Sequence, residues 1–395
     1  MRSKYISKFI LLAAIIFVSN INAFSQKEDS IKTIEMEEVM VSANKTEKSF
    51  VELTVPAKII SKEEIESSVH SRLDEIINEQ VGIITVPGFG GSKGVQLQGM
   101  DPEYTLILID GLPVIGRVAG ILDLSRISLA SVERIEIVKG ASSSLYGSEA
   151  LGGVVNIITS KGIDEGFNKK IYYQYGTYNT QDLLADISFR EKQFAVYGNL
   201  NRYSSDGYDL VEGDGQNTVE AFQNLTGTIG ISYDMNKLGS LDLNYKFFEE
   251  DRDGTIFITS PGVENKSETK EDNISLKYQK DLSKSVSVNI DFYKTDYINK
   301  EEQIDQNNNL RNNNFDQTLN RLDIRFKHST STGSYYTIGF GYDKELLERT
   351  NISVKPKHNS QFLYFQYDWN TNDRFNLVSG VRYDNHNKYS SQLSP

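Results

Sequence analysis

The residue types that carry chemistry are sparse in this chain, and their spacing disfavours catalysis. A glycine-rich stretch at Val86–Gly94, "VPGFGGSKG", could cradle an anion with its backbone amides. It lacks the Gly-Lys-Ser/Thr ending of a phosphate loop. Ser142–Ser144 read as a polar turn, and Ser148 lacks the flanking pattern of a nucleophile elbow. Because no nucleophile is paired with a base, we predict that the protein is not an enzyme.

Metal-ligand patterns are also missing from the sequence. The four histidines are His70, His328, His358 and His386. They do not follow the spacing of a metal site, and the stretch around His70 is typical of a capped amphipathic helix. Asp251, Asp253 and Gly254 resemble the start of a calcium loop whose other ligands are absent. We therefore predict no metal site and no bound cofactor.

A run of alternating charge lies between Val132 and Val138. Glu133, Arg134 and Glu136 are interleaved with apolar residues, which places the charges on one face of a predicted strand. Surface ion pairing is one role for them. Attachment to a neighbouring body is the other, because partly buried ion pairs can hold two bodies together and still separate.

Glycine turns divide the surrounding stretch into short apolar strands. The pattern predicts strands at 104–109, 132–138 and 153–159, separated by turns at Asp110-Gly111 and at Gly140 and Gly147. Such a stretch is typical of a small domain that combines strands with short helices.

From Lys170 onward, apolar and polar residues alternate with period two. Three apolar faces are Leu241, Leu243, Tyr245 and Phe247; Val286, Val288, Ile290 and Phe292; and Leu322, Ile324 and Phe326. We count about eleven candidate strands up to the last residue, joined by connections that alternate between short turns and long polar loops; residues 250–273 and 299–317 are two of the predicted long loops. This arrangement is typical of an outer-membrane β-barrel, with the long loops outside the cell.

The N-terminus has the layout of a secretory signal peptide over residues 1–25. Positive residues precede the apolar run Phe9–Val18, and small residues at Ala23 and Ser25 offer two cleavage positions. The run is too short to cross a bilayer as a helix. The absence of cysteine excludes a disulfide framework and a lipoprotein anchor. The net charge of -12 argues against a nucleic-acid partner.

Residues 37–165 closely resemble the plug domain of TonB-dependent outer-membrane receptors. The stretch Pro102–Lys161 carries most of the resemblance, "EEVMVSANKTEK" at Glu37–Lys48 resembles the TonB box, and "GVQLQGM" at Gly94–Met100 occupies the place of the family's Ile-Arg-Gly element. The resemblance implies an α+β plug domain inside a transmembrane antiparallel β-barrel of about 22 strands. Of these strands, about eleven are predicted in this chain.

This resemblance divides the chain into four parts. They are a signal peptide at 1–25, an N-terminal extension at 26–50 with the TonB box at about 37–43, a plug domain at 51–165 and the N-terminal half of the barrel at 166–395. An open sheet edge in lipid leaves backbone groups unsatisfied. We therefore expect the chain to be an N-terminal fragment of a longer receptor.

The resemblance also assigns roles to individual residues. The TonB box, which TonB pulls to remodel the plug, comprises Glu37, Glu38, Val39, Met40, Val41 and Ser42. Two apical plug loops face the extracellular ligand, and their candidate ligand contacts are Phe89, Lys93, Ile115 and Arg117. Simple loop packing is the alternative role for these four.

Four further residues are candidates for locking the plug to the barrel wall, namely Gln98, Glu133, Arg134 and Glu136. The chain departs from the family at Gln98, where arginine is usual. It departs again at Ala141, where proline is frequent.

The function implied is TonB-dependent transport of a scarce iron complex, haem or a ferric siderophore, across the outer membrane of a Gram-negative bacterium. The complex is the transported ligand and not a cofactor. Haem is favoured because "LQG" followed by "GLPVIGR" is similar to the haem-receptor branch. A cobalamin receptor is the alternative within the mechanism, and a signalling or adhesion receptor, or a soluble periplasmic protein, is the alternative outside it. The partners implied are TonB energised by ExbB and ExbD, outer-membrane lipid and a possible surface lipoprotein.

Overall fold

Strands dominate the fold, as the period-two patterns predict. The computed structural model describes residues 40–41, 48–49, 56–88, 92–140, 143–161, 165–211, 217–256, 263–305, 307–330, 333–350, 356–372 and 375–395. Met40–Pro395 form one compact unit, and within it we call residues 56–161 the plug. The TonB-box residues 37–39 and 42, the signal peptide and Phe89 lie outside the described residues.

The plug is a five-stranded sheet with a separate hairpin and three short helices. Its elements, after the two-residue strands β1 (Met40–Val41) and β2 (Lys48–Ser49), are β3 (Ala57–Ser61), α1 (Lys62–Ser67), α2 (Leu73–Asn78), β4 (Ile83–Pro87), β5 (Lys93–Leu97), β6 (Thr105–Ile109), β7 (Leu112–Pro113), β8 (Val132–Lys139), α3 (Ser143–Tyr146) and β9 (Gly153–Thr159). The sheet order is β3-β8-β9-β6-β7, with β6 and β9 parallel, and β4 pairs with β5. The three strands predicted by the glycine-punctuated pattern are confirmed as β6, β8 and β9.

The helix predicted around His70 begins only at Leu73, as α2, so His70 precedes it. The Glu75 carboxylate accepts hydrogen bonds from the backbone amides of Ser71, at 2.8 Å, and Arg72, at 3.1 Å, and so satisfies amides at the helix start. His70 instead lies 2.8 Å from the carboxylate of Glu79. Within the part of the chain that the structure describes, every helix is too short or too polar to cross a membrane.

The described residues from 166 onward form one antiparallel sheet of twelve strands in sequence order, which we call the large sheet. Its strands are β10 (Gly166–Tyr175), β11 (Gln181–Glu191), β12 (Phe194–Ser205), β13 (Ala221–Asp234), β14 (Ser240–Ile256), β15 (Val263–Asp281), β16 (Val286–Ile304), β17 (Leu310–Ser329), β18 (Tyr335–Arg349), β19 (Lys357–Asn372), β20 (Phe375–His386) and β21 (Gln392–Ser394). Twelve strands agree closely with the eleven predicted, since β21 has only three residues. The strands β10, β12, β14, β16, β18 and β20 all finish at the same end of the large sheet, which we call the loop end. We call the opposite end the turn end.

Several segments predicted as long loops are mostly strand. β14 continues to Ile256 and β15 begins at Val263, so most of the polar stretch between Glu249 and Asn273 is paired. β16 and β17 are likewise paired along their length up to Ile304 and Leu310, their last partners at the loop end. Polar composition misled the prediction because antiparallel backbone pairing needs no apolar face once a strand leaves the membrane region.

The two faces of the large sheet differ in polarity. Leu243, Phe292 and Phe326, from the three predicted apolar faces, are 44%, 45% and 48% exposed and point away from the plug. The alternate positions, such as Asn244 and Glu250, are buried on the side of the plug. An apolar outer band over a polar inner face is what a lipid-facing sheet requires.

Candidate functional site

The plug is attached to the inner face of the large sheet by a set of charged contacts, and the first involves Asp110. Asp110 lies in the turn after β6 with a φ of 52°. Its carboxylate accepts hydrogen bonds from the amide and the hydroxyl of Thr159, at 2.9 and 2.8 Å, and pairs with the ammonium of Lys246 on β14 at 2.7 Å. Lys277 on β15 donates to the backbone carbonyl of Asp110.

This environment fixes the charge of Asp110. Burial alone would raise the pKa of its carboxyl group, but the ammonium groups of Lys246, Lys161 and Lys277 hold that pKa well below its usual range. Asp110 is therefore ionised at neutral pH, and the ion pair with Lys246 joins the two bodies.

Asp123 makes the second contact. It accepts a hydrogen bond from the amide of Ser125 at 3.1 Å and so caps a short 3₁₀ turn of the plug. Its other carboxylate oxygen lies 3.1 Å from the guanidinium of Arg252 on β14. Arg252 also pairs with Glu250 of its own strand at 2.7 Å. One arginine of the large sheet is thus shared between a sheet carboxylate and a plug carboxylate.

Arg126 makes the third contact, in which the positive charge belongs to the plug and the negative charge to the large sheet. Its guanidinium lies 3.4 Å from the carboxylate of Glu271 on β15 and 4.9 Å from the ring centre of Tyr297 on β16. It also donates to the backbone carbonyl of Ile115. Both members of the Arg126–Glu271 pair are buried. A pair of this kind contributes less net energy than its Coulomb attraction suggests, because both ions lose water.

The loop after β7 docks against aromatic side chains of the large sheet. The hydroxyl of Tyr293 donates to the carbonyl of Pro113 at 3.1 Å, and the amide of Gly116 donates to the side-chain oxygen of Gln317 at 3.0 Å. Gly116 has a φ of 88°, and a Cβ there would lie 2.6 Å from the ring of Tyr297. Only glycine fits this approach without a shift of the ring.

Two further arginines bridge the bodies, one by contact with an aromatic ring and one by a hydrogen bond. Arg72 lies with its guanidinium 4.1 Å from the ring centre of Tyr203, and burial lowers its pKa. Arg382 on β20 donates to the carbonyl of Leu145 in α3 at 3.0 Å and lies 3.9 Å from the ring centre of Phe362. These contacts extend the attachment across most of the width of the large sheet.

Three of the four residues predicted to lock the plug form ion pairs within the plug itself. Glu133 pairs with Lys62 at 3.2 Å, and Arg134 pairs with Glu136 at 2.8 Å, all within the plug. β8 lies between β3 and β9, which places Glu136, fully buried, inside the plug. Gln98 is exposed in a turn with a φ of 53°. The locking role of these four residues stays a prediction.

Of the predicted ligand contacts, three are described, and each is engaged within the protein. Lys93 pairs with Asp74 at 2.8 Å; burial alone would lower the pKa of Lys93, but this carboxylate raises it. Ile115 is buried against the aromatic residues that contact its loop. Arg117 donates to the carbonyls of Pro102, at 2.9 Å, and Thr105, at 2.7 Å, and burial lowers its pKa. Contact with a ligand stays a prediction for all four candidates.

The described part of the predicted TonB box forms a short antiparallel strand pair with residues 48–49. Met40 and Val41 pair antiparallel with Ser49 and Lys48, respectively. The pairing involves only two residues on each side. Recognition by TonB stays a prediction.

Sequence reasoning missed the residues that join the plug to the large sheet, although a signal for them exists. Lys246 lies between Tyr245 and Phe247, so a charge falls at the inner position of a strand whose outer positions are apolar. In a lipid-facing sheet, such inner charges need a partner inside. Charged residues at inner positions of the strands therefore identify the sheet side of these contacts, but they do not identify the partners in the plug.

A small cavity lies between the plug and the large sheet, beside their contacts. Its volume is about 80 Å³, and polar side chains such as Asn199, Asn201 and Thr228 line one side of it. The side-chain oxygen of Asn201 has no hydrogen-bond partner in the protein, which suits a water site. Among the described residues, no group of three or more histidine, cysteine, aspartate or glutamate side chains could hold a metal ion.

Comparison with known proteins agrees with this architecture. Residues 50–154 match the family model "TonB-dependent Receptor Plug Domain". The chain is 26% identical over 373 residues to the vitamin B12 transporter BtuB of Vibrio cholerae, covering 91% of this chain and 59% of the relative. It is 30% identical over 233 residues to the ferric enterobactin receptor of Pseudomonas aeruginosa, covering 53% of this chain and 31% of the relative.

The fold is also similar to a solved structure. The crystal structure of a ferric enterobactin receptor mutant from Pseudomonas aeruginosa superposes with a TM-score of 0.68 at 19% identity, over 86% of this chain and 59% of that one. This chain thus spans about three fifths of the length of that receptor. Residues 50–154 thus match the plug domain of TonB-dependent receptors, and the plug together with the large sheet has the fold of a solved receptor of that kind.

Proposed function

We propose that this protein takes up a metal complex across the outer membrane when TonB engages its N-terminal segment. The observation that carries the proposal is the attachment of the plug by separable ion pairs, Asp110–Lys246, Asp123–Arg252 and Arg126–Glu271. A barrel wide enough for such a cargo needs a plug that closes it and can be displaced. Charged contacts suit this task because water can replace them when the plug moves.

The N-terminal segment supports the same mechanism. Strand addition to a partner's sheet edge requires an extended segment that can leave its own pairing. Met40–Val41 are held by a two-residue ladder, which a competing strand of TonB can replace. ExbB and ExbD would energise TonB, and a surface lipoprotein is a possible further partner. Export would follow from the signal peptide predicted at 1–25.

The cargo we propose is a ferric siderophore or cobalamin. The relatives reported above are named as a ferric enterobactin receptor and a vitamin B12 transporter, and they favour these two cargo classes over haem. Haem, which the sequence favoured, is therefore the third arm of the test. A signalling or adhesion receptor would bind a ligand without accumulating it.

The test is uptake by cells that express the full-length receptor, with residues 37–42 deleted or intact. Labelled ferric enterobactin, cyanocobalamin and haemin are supplied separately, and surface binding is measured beside accumulation. We expect one cargo to accumulate only with residues 37–42 intact, and its surface binding to survive the deletion. A deletion of equal length at 26–31 is the control and should leave uptake unchanged. Accumulation without residues 37–42 would refute the TonB-dependent mechanism, and binding without accumulation in both proteins would favour signalling or adhesion.

A further inference from the structure

Two histidines and a tyrosine come together at the loop end of the large sheet. His358 is the second residue of β19, and His386 is the last residue of β20, where its register partner is Ser360. The centres of the two imidazole rings lie 5.4 Å apart. The ring of Tyr389, just after β20, lies 4.8 Å from that of His386 and 6.2 Å from that of His358.

Both histidines belong to the inner face of the sheet. Arg382 on β20 reaches the plug carbonyl of Leu145, and His386 follows it by four residues. Tyr364 on β19 packs against Leu145, and His358 precedes it by six residues. Because side chains alternate between faces along a strand, an even separation keeps both imidazoles on the side of the plug. A solute that enters from the loop end meets these rings before it reaches the plug.

The spacing of the rings fits a shared metal ion. Imidazole nitrogen binds zinc at about 2.0–2.1 Å, and two imidazoles on one tetrahedral ion therefore have ring centres roughly 5 Å apart. The 5.4 Å separation of His358 and His386 agrees with this value, and the rings are inclined at 44° rather than stacked. The neighbouring ring of Tyr389, which is nearly parallel to that of His358 at 7°, carries a phenol oxygen of a type suited to a third coordination position.

The hydrogen bonding of the two rings leaves ligand atoms available. Nδ1 of His358 is buried and has no hydrogen-bond partner among the described residues, a state that calls for an explanation in a native structure. Nδ1 of His386 accepts one exposed hydrogen bond, from the amide of Lys388 at 3.1 Å, which an ion at that nitrogen would replace. Glu345, the register partner of His358 on β18, is occupied by a hydrogen bond from Gln317 at 2.5 Å.

We propose that His358, His386 and Tyr389 form a binding site for a divalent transition-metal ion of the zinc, nickel or copper class. Imidazole suits these ions, whereas calcium and magnesium prefer oxygen ligands. Three protein ligands leave one position open for water or for a donor atom of an arriving molecule. The site does not depend on the identity of the cargo, because it would bind the ion itself.

The test is a titration of the full-length protein in detergent with Zn²⁺ by calorimetry and with Cu²⁺ by absorption. We expect one ion per chain. His358→Gln and His386→Gln should each weaken binding by about tenfold or more, since loss of outer-shell partners alone costs that much at known sites. Tyr389→Phe should remove the charge-transfer band from phenolate to Cu²⁺.

Residues 1–395 contain two other histidines, His70 and His328, which serve as matched controls. His70→Gln and His328→Gln should bind Zn²⁺ like the wild type. In the unaltered protein, Zn²⁺ should protect His358 and His386 from diethyl pyrocarbonate and leave the other two reactive, so the result does not depend on a variant folding. Unchanged stoichiometry in the His358→Gln/His386→Gln double variant, or equal protection of all four histidines, would overturn the proposal.

Discussion

Replacement of Asp110 by asparagine isolates the charge of the principal contact between the plug and the large sheet. Asparagine keeps an oxygen that can accept the 2.9 Å hydrogen bond from the amide of Thr159, and it tolerates the φ of 52° that alanine would resist. The hydroxyl of Thr159, which donates to the other carboxylate oxygen at 2.8 Å, can rotate and accept from the new amide group. The substitution therefore removes the ion pair with Lys246 and leaves the turn intact. Any loss of plug attachment can then be assigned to electrostatics.

The size of the effect follows from burial. Removal of one partner from a buried pair costs about 3–5 kcal/mol, because the other charge stays behind without compensation. The side chains of Asp110 and Lys246 retain 11% and 19% exposure, so we take about 3 kcal/mol, at the lower end of that range. This free energy corresponds to a change of roughly 100-fold in the ratio of seated to displaced plug.

Amide hydrogen exchange of the plug in the full-length receptor measures that ratio. We expect the peptides that contain β6 and β9 to exchange roughly 100-fold faster in Asp110→Asn, if displacement of the plug exposes them. Asp101→Asn is the matched control, because Asp101 is exposed and its side chain makes no cap hydrogen bond. The double variant Asp110→Asn/Lys246→Met should exchange more slowly than Asp110→Asn alone, because it leaves no unpaired charge at this contact. Exchange within about threefold of the wild type would refute the reasoning.

The same pair predicts a pH dependence whose sign is fixed. The pKa of Asp110 is lowered in the folded protein, so its stabilisation is complete above the ordinary aspartate range, near about 4, and is lost as the pH falls below it. The difference in exchange rate between wild type and Asp110→Asn should thus stay constant from about pH 8 to about pH 5 and shrink below about pH 4. A difference that already shrinks near neutral pH would contradict the assignment.

Two further predictions concern the other contacts. Gly116→Ala should destabilise the docked loop by about 2–4 kcal/mol in denaturant unfolding, because it combines a positive φ with a close approach to Tyr297. Gly111→Ala, at a φ of 79° with no atom within 4 Å, should cost only about 1 kcal/mol, and equal losses would contradict the role of the ring. Arg126→Met should raise ion conductance in planar bilayers more than Arg134→Ala, because only the Arg126 pair crosses to the large sheet. Equal conductance in these two variants would count against that distinction.

Local sequence patterns predicted much of the fold. The apolar runs between glycine turns located β6, β8 and β9, because strand propensity and turn geometry are short-range properties. Period-two alternation located the outer face of the large sheet at Leu243, Phe292 and Phe326 for the same reason. It failed at the loop end, where β14 and β15 continue through polar sequence that pairs only because the two strands are neighbours.

The sequence by itself determined the strands, their outward faces and the resemblance to a receptor plug, since these depend on residues close together in the chain. The tertiary structure alone decided which charges meet. Asp110 and Lys246 are 136 residues apart, and Asp123 and Arg252 are 129 apart, so no local pattern could pair them. The same holds for His358 and His386, whose separation along the chain conceals rings 5.4 Å apart. Contacts of this kind arise from the register of the sheet and the position of the plug, which only the folded chain defines.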